Sequence, residues 1–272
     1  MKIVPCNGPF GAEILELDVR DITDQELAEC NLAQQQHGVI FFRDQKLSCQ
    51  QHIDFAERFG AIVVNRFFER LEDYPQVAVV RKEPTHATVV GEQWHTDHSY
   101  DQEPARGSIL YAREVPSQGG DTCFINMHQV YESLSDGFKQ TLEGLQAAHS
   151  SRHVFGPNTE QVRDERYNNP EQALQDSIHP LVITHPLSDL KVLYANPDFT
   201  THIVGWSAEE SEALLDYIYS VAMRPQNILR FQWQTDSIAF WDNRATWHRA
   251  QNDYPGERRL MHRITLAGCA IH

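Results

Sequence analysis

Apolar positions along this chain fall into two rhythms. Short β-branched and aromatic runs bounded by turn residues predict strands at residues 38–42, 77–80, 108–112, 181–184, 192–194, 228–231, 237–241 and 261–266. The pair Gly119-Gly120 marks a tight turn before a further run at 121–124. Elsewhere apolar residues recur every three or four positions, and three such stretches open with a capping box, in which a Ser or Thr and a Glu or Gln three residues on satisfy free backbone N–H groups. Thr23-x-x-Glu26 opens a helix to about His37. Ser48-x-x-Gln51 opens another, with Ile53, Ala56 and Phe59 on one face and Gly60 as its stop. Ser207-x-x-Glu210 opens a third through Leu214, Leu215, Ile218 and Val221. A fourth is expected over 127–148, interrupted near Gly137.

Many strands with few helices, no βαβ alternation and no repeat predict a mostly β fold with peripheral helices, a double-sheet jelly roll. Residues 1–272 are expected to form one domain. The polar stretch 156–176 is expected to be an insertion, either a lid over a site or a solvated loop.

Charge narrows the partners. A formal net charge of −15 argues against nucleic acid and an anionic membrane surface, but not against a small anion met by local arginines. The five cysteines are scattered and form no C-x-x-C pair, which predicts reduced thiols. No apolar leader follows Met1, and no run reaches the ~18 apolar residues of a membrane span. A cytoplasmic protein is expected.

Two His-x-Asp triplets carry candidate chemistry. With 14 His and 38 acidic residues, roughly two His-x-acid pairs arise by chance, so the spacing alone says little. His52-Ile53-Asp54 falls inside the helix expected after Ser48, where residues two apart diverge by about 200° and cannot share an ion; it reads as solvated helix surface. His95-Thr96-Asp97 falls where extended structure is expected, so both side chains project from one face and His98 from the other. His248 supplies a second imidazole. Two histidines and a carboxylate leave coordination positions open for a bidentate co-substrate and dioxygen at Fe(II). Catalytic zinc also accepts this donor set, but the chain lacks H-E-x-x-H, which lowers the zinc-hydrolase reading. Near the last predicted strand, Arg259, Met261 and Arg263 share one face and Arg258, Leu260 and His262 the other. A guanidinium pointing into a barrel needs an anion, and a carboxylate fits its planar fork best.

Trp94-His-Thr-Asp97, Gly119-Gly-Asp-Thr122, Trp241-Asp-Asn-Arg244 with His248, and Arg258-Arg-Leu-Met-His-Arg263 together resemble the TauD/TfdA family of Fe(II)- and 2-oxoglutarate-dependent dioxygenases. Further matches at Phe41–Gln45, Glu57–Gly60, Asn196–Val204 and Glu209–Leu215 extend the likeness over nearly the whole chain, in order. The resemblance implies a double-stranded β-helix of the cupin-like kind and a soluble, homo-oligomeric enzyme. It implies that His95, Asp97 and His248 bind Fe(II), and that Arg259 and Thr122 hold the distal carboxylate of 2-oxoglutarate. It also implies that O2 is consumed and succinate and CO2 are released. Asn243 and Arg244 are expected to hold the turn before His248.

The resemblance further implies that Arg263 meets an anionic substrate group and that Tyr100, Phe155 and Phe199 line its pocket. Where taurine-acting members carry a pocket His, a Tyr and an Asn, this chain carries Asn65, Phe68 and Gly91. Those departures remove polar contacts and point away from taurine. They leave another sulfonate or a sulfate ester (with release of sulfite or sulfate), a carboxylate or an aryloxyalkanoate. A non-catalytic metal- or ligand-binding β-barrel is the alternative from another class.

Overall fold

A computed structural model describes residues 1–272. Its helices are α1 (Asp24–His37), α2 (Cys49–Glu57), α3 (Met127–Glu132), α4 (Asp136–Leu142), α5 (Arg152–Phe155) and α6 (Ala208–Ala222). Its first eight strands are β1 (Lys2–Pro5), β2 (Ala12–Leu15), β3 (Val39–Phe42), β4 (Ile62–Val63), β5 (Ala78–Lys82), β6 (Gly107–Glu114), β7 (Thr122–Asn126) and β8 (Gln146–Ser150). The remainder are β9 (Asp176–Pro180), β10 (Val182–Thr184), β11 (Lys191–Leu193), β12 (Thr200–Ile203), β13 (Ile228–Phe231), β14 (Ile238–Asp242), β15 (Thr246–Ala250) and β16 (Arg259–Leu266). Strands dominate and helices are few, as the pattern predicts.

All three capping boxes form, with the Thr23, Ser48 and Ser207 hydroxyls accepting from the backbone three residues on. The expected helix over 127–148 is a correction. It breaks at 133–135 into α3 and α4, and 146–150 is a strand. Asn126 caps α3, Ser135 starts α4, and Gly137 lies within α4's first turn rather than at the break. Gly144 then turns the chain with a positive φ of 84°, which favours glycine. β8 pairs with β9 on one side and β12 on the other, so sheet hydrogen bonds replace helical ones.

The large sheet runs β1-β2-β3-β14-β6-β16-β4, with β5 also paired to β16. A three-stranded sheet, β13-β7-β15, belongs to the layer facing it, and β12-β8-β9 and β10-β11 form smaller sheets. The central strand β3 is apolar and buried at every position, and β14 is buried throughout, because both faces of the sheet are covered there. In β14, Ile238 and Phe240 join a cluster with Ile53 and Phe55 of α2, whereas Ala239 and Trp241 join a cluster with Phe124 of β7 and Phe231 of β13. β3 and β6 divide their side chains in the same way, as the two-residue period of a strand requires. Phe124 belongs to the inner cluster, while its neighbours Cys123 and Ile125 face Val130 of α3 and Ile218 of α6. Truncating fully buried Phe124 to Ala would cost about 3–5 kcal/mol.

No helix is long and apolar enough to cross a membrane, and all five cysteines are free thiols. One end of the inner, aromatic-rich cluster opens into a cavity.

Candidate active site

His95 lies at an isolated β-bridge to His248 of β15: each backbone N–H donates to the other's carbonyl, at 3.1 and 2.8 Å. The triplet was expected on a strand. Instead the extended backbone ends at this bridge and the chain turns at Asp97, with His98 at φ 62°. The turn brings the carboxylate back beside both imidazoles. One ligand atom from each of His95, Asp97 and His248 lies within 4.8 Å of the others, and all three residues are buried. Each Nε2 is 3.8 Å from an Asp97 carboxylate oxygen, too long for a hydrogen bond and compatible with a shared ion between them.

The surroundings prepare these donors. His95 Nδ1 donates to the Gln93 carbonyl at 2.8 Å, which leaves Nε2 with its lone pair free. Burial, helped by the His95 imidazole, pulls His248 well below the ordinary histidine range, so it is neutral as a ligand must be. Burial alone would raise the Asp97 carboxyl; the Arg263 guanidinium outweighs it and holds the group well below the usual carboxylate range. Ser108 Oγ donates to one Asp97 oxygen at 2.8 Å and Arg263 Nη1 to the other at 2.9 Å. The Thr96 hydroxyl donates to the Asn243 carbonyl, tying the triplet to the turn before β15. That turn is held as expected: Arg244 grips Asp242 through two nitrogens, and Asn243 accepts from the Trp241 indole at 2.7 Å.

The trio lines a cavity of about 510 Å³. Arg259 and Arg263, four residues apart on β16, both reach its wall. Arg263 packs 4.7 Å over the Phe68 ring, and its Nε has no partner. Arg259 differs in a telling way. It is 4% exposed and in no ion pair, its Nε is unpartnered, and its one side-chain bond goes from Nη2 to the Thr122 hydroxyl at 3.3 Å. Thr122 Oγ1 also accepts from the Trp233 indole at 2.9 Å, which fixes the hydroxyl.

Phe68, Tyr100, Phe155 and Phe199 line the same cavity, as expected. Asn65 does not. Its side-chain oxygen accepts from the Phe67 and Phe68 backbone N–H groups, and its amide turns toward His98, so it shapes the turn that delivers Phe68. His98 is outside the ion site, but for a different reason than the expected strand. Its Nδ1 donates to Asp101 at 2.9 Å, inside a turn. Gly91 lines the cavity at a φ of +74°, where a Cβ would sit 3.1 Å from the His95 ring.

The stretch 156–176 contributes to the wall. Phe68 and Tyr167 form a bridge, and Arg166 binds Asp164 and the Thr88 carbonyl (2.9 Å), joining this stretch to the 83–91 loop. Arg166, Ser108, Trp233 and the cavity residue Asp198 have no distinguishing signal in the sequence. They are ordinary residue types, and the distant contacts that matter, Trp233 on Thr122 and Arg166 on the Thr88 carbonyl, are made only in the fold. His52 corrects another expectation: it is fully buried under Tyr111, with neither ring nitrogen bonded to another side chain, whereas Asp54 is exposed. The apolar face of α2 is wide enough to take the His52 ring inside.

Residues 2–265 match the model of the family described as taurine catabolism dioxygenase TauD, TfdA. A protein named alkylsulfatase from Acinetobacter baylyi is 32% identical, over 98% of this chain and 85% of its own. An alpha-ketoglutarate-dependent 2,4-dichlorophenoxyacetate dioxygenase from Burkholderia sp. (strain RASC) is 33% identical, over 92% and 86%. The crystal structure of a taurine dioxygenase from Burkholderia xenovorans superposes with a TM-score of 0.82 at 32% identity, covering 98% of this chain and 89% of that one.

Proposed function

The chain belongs to the TauD/TfdA family, and from that premise we propose that it hydroxylates a small organic anion in the cavity beside His95, Asp97 and His248. It is a dioxygenase that uses Fe(II), 2-oxoglutarate and O2. We assign the iron to His95, Asp97 and His248, and the distal carboxylate of 2-oxoglutarate to Arg259 and Thr122.

The observation that carries the assignment is the unpaired Arg259. Arg263 has Asp97 and Arg166 has Asp164, but Arg259 is buried with no protein carboxylate. A buried guanidinium without a counter-ion is costly, and a planar carboxylate entering from solvent removes that cost through two parallel hydrogen bonds. The donor trio fits iron in the same spirit: two imidazoles and one carboxylate converge, leaving coordination sites for other ligands. When bound, Fe(II) and 2-oxoglutarate supply oxidation by dioxygen, with succinate and CO2 released as a substrate C–H becomes C–OH.

The chain's own part is positioning and exclusion of water. The Gln93 carbonyl aims the His95 ring, while Ser108 and Arg263 orient the Asp97 carboxylate. Trp233 sets the Thr122 hydroxyl against Arg259. Phe68, Tyr100, Phe155 and Phe199 make a dry wall. Arg263, with Nε still free, is the group we assign to the substrate's anion. A sulfonate or sulfate ester is the second reading, favoured by the alkylsulfatase relative; hydroxylation next to the sulfur-bearing group would release sulfite or sulfate. The facing sheets support a jelly roll within one domain, and the unpaired thiols a cytoplasmic enzyme.

The test is spectroscopic. Anaerobic addition of Fe(II) and 2-oxoglutarate should produce the weak visible charge-transfer band of the chelate; a folded, metal-loaded protein without that band would sink the assignment.

A further inference from the structure

Two buried cations stand side by side on the inner face of the large sheet, and neither has a carboxylate. Lys82, the last residue of β5, pairs directly with Arg259, the first of β16. Residues paired in this way in an antiparallel ladder put their side chains on one face, with Cβ atoms about 5 Å apart. That face is the inner one, since Val80, two residues before Lys82, lines the cavity, as Arg259 does. Lys82 is 3% exposed, against 4% for Arg259. The carboxylates of the adjoining strands and turns are taken: Asp121 and Asp253 both bind Arg230, and Glu83 and Glu114 both bind Arg258.

An ammonium carries three N–H donors, and Lys82 Nζ makes one bond, to the Tyr254 carbonyl at 3.3 Å. It also sits 4.5 Å from the centre of the Tyr254 ring. These contacts orient the charge without neutralising it. The Tyr254 hydroxyl is itself buried without a partner, as is Arg259 Nε. Burial pulls the Arg259 guanidinium below its ordinary value, partly offset by Tyr254 and Asp121. A lysine is almost never fully buried unless paired, and a second cation beside it makes the burial costlier. Both costs fall when an anion enters next to Arg259.

We propose that Lys82 is a second cation of the co-substrate anchor, a positioning residue that acts through space on the carboxylate held by Arg259 and Thr122. Lys82 stands behind the cavity wall, so its part is to raise the local potential and not to touch the ligand. In a chain of formal net charge −15, two uncompensated cations give this end of the cavity a positive potential that a dianion such as 2-oxoglutarate feels strongly. The inference rests on the assignment of the distal carboxylate to Arg259 and adds a residue to it.

Lys82→Met removes the charge and keeps an apolar stem, whereas Lys82→Gln also keeps a donor for the Tyr254 carbonyl. In both, 2-oxoglutarate should bind the anaerobic Fe(II) protein about tenfold more weakly, read by titration of the chelate band. That is the factor expected of one charge about 10 Å away in a protein interior. Iron affinity, read by competition with a chelator, should not change. The ligand-free protein should melt no lower than before, because an uncompensated buried charge has gone, while the rise in Tm on adding 2-oxoglutarate should shrink. An unmoved 2-oxoglutarate affinity or a parallel loss of iron affinity would overturn the proposal. So would a lower ligand-free Tm, or failure to fold, in both variants, since Lys82 would then be holding the fold. Arg259→Leu in the same titration separates the two readings. Weakening there but not at Lys82 removes only this inference; weakening at neither removes the anchor assignment with it.

Discussion

The same triplet, His-x-Asp, occurs twice in this chain and meets two opposite fates. In α2, His52 and Asp54 diverge: the imidazole is buried beneath Tyr111, and the carboxylate lies in solvent, bonded to Gln50. At 95–97 the chain leaves a β-bridge and turns, and the two side chains converge with His248. Residue types and spacing are identical, so neither makes the site. Backbone path and distant partners do: Ser108, Arg263 and His248 surround Asp97, and nothing equivalent surrounds Asp54.

The hardest blow to that contrast is Asp97→Ala against Asp54→Ala. The first should lower succinate release on the order of 1,000-fold or more, because loss of a mere outer-sphere partner already costs 10–100-fold. Asp54→Ala should leave iron stoichiometry, read by metal analysis, unaltered, and a loss there would give the helix triplet a role it lacks here. Next in size is Arg259→Leu. It should raise the KM for 2-oxoglutarate about 100-fold while sparing iron binding, and an unmoved KM would place the co-substrate anchor elsewhere. Ser108→Ala sharpens the contrast, since it removes one of the two groups that orient Asp97. Iron affinity should fall about tenfold, measured by competition with a chelator.

The smallest effect concerns the buried triplet and is one of stability. Burial, with repulsion from His262, pulls His52 down to about 3 from an ordinary 6.5. The unfolded chain therefore takes up this proton first as pH falls. The stability His52 contributes is complete above about pH 6.5 and is lost progressively toward pH 3. By pH 4 that loss is about 3 kcal/mol from this group alone. His52→Leu should flatten the decline of Tm between pH 6.5 and 4, and an unchanged slope would mean that water reaches the ring.

Local signals were legible where the chemistry is local. Each capping box lies within four residues and formed as read. The strands of the inner core were visible because burial on both faces demands continuous apolar runs. The helix extended over 127–148 failed because β8 is decided by β9 and β12, more than twenty residues away. β15, which carries His248, lacks an apolar run, and only its pairing with β7 makes it a strand. At the cavity, the expected aromatic wall is present, yet Asn65 serves a turn, and Asp198 stands where nothing in its neighbourhood of sequence marks it.

The sequence by itself determined the inventory: two imidazoles and a carboxylate in the right order, two arginines in alternation on one strand, and the resemblance that joins them. The residues and their alternation follow from order and short-range periodicity; the chemistry is what the resemblance implies. Tertiary structure decided which His-x-Asp converges and which arginine stays without a counter-ion. Such outcomes depend on burial and on partners more than a hundred residues apart, as with Arg263 on Asp97 and Thr122 on Arg259. Charge and hydrogen bonding are settled by what lies across the cavity, and no local pattern along the chain encodes that.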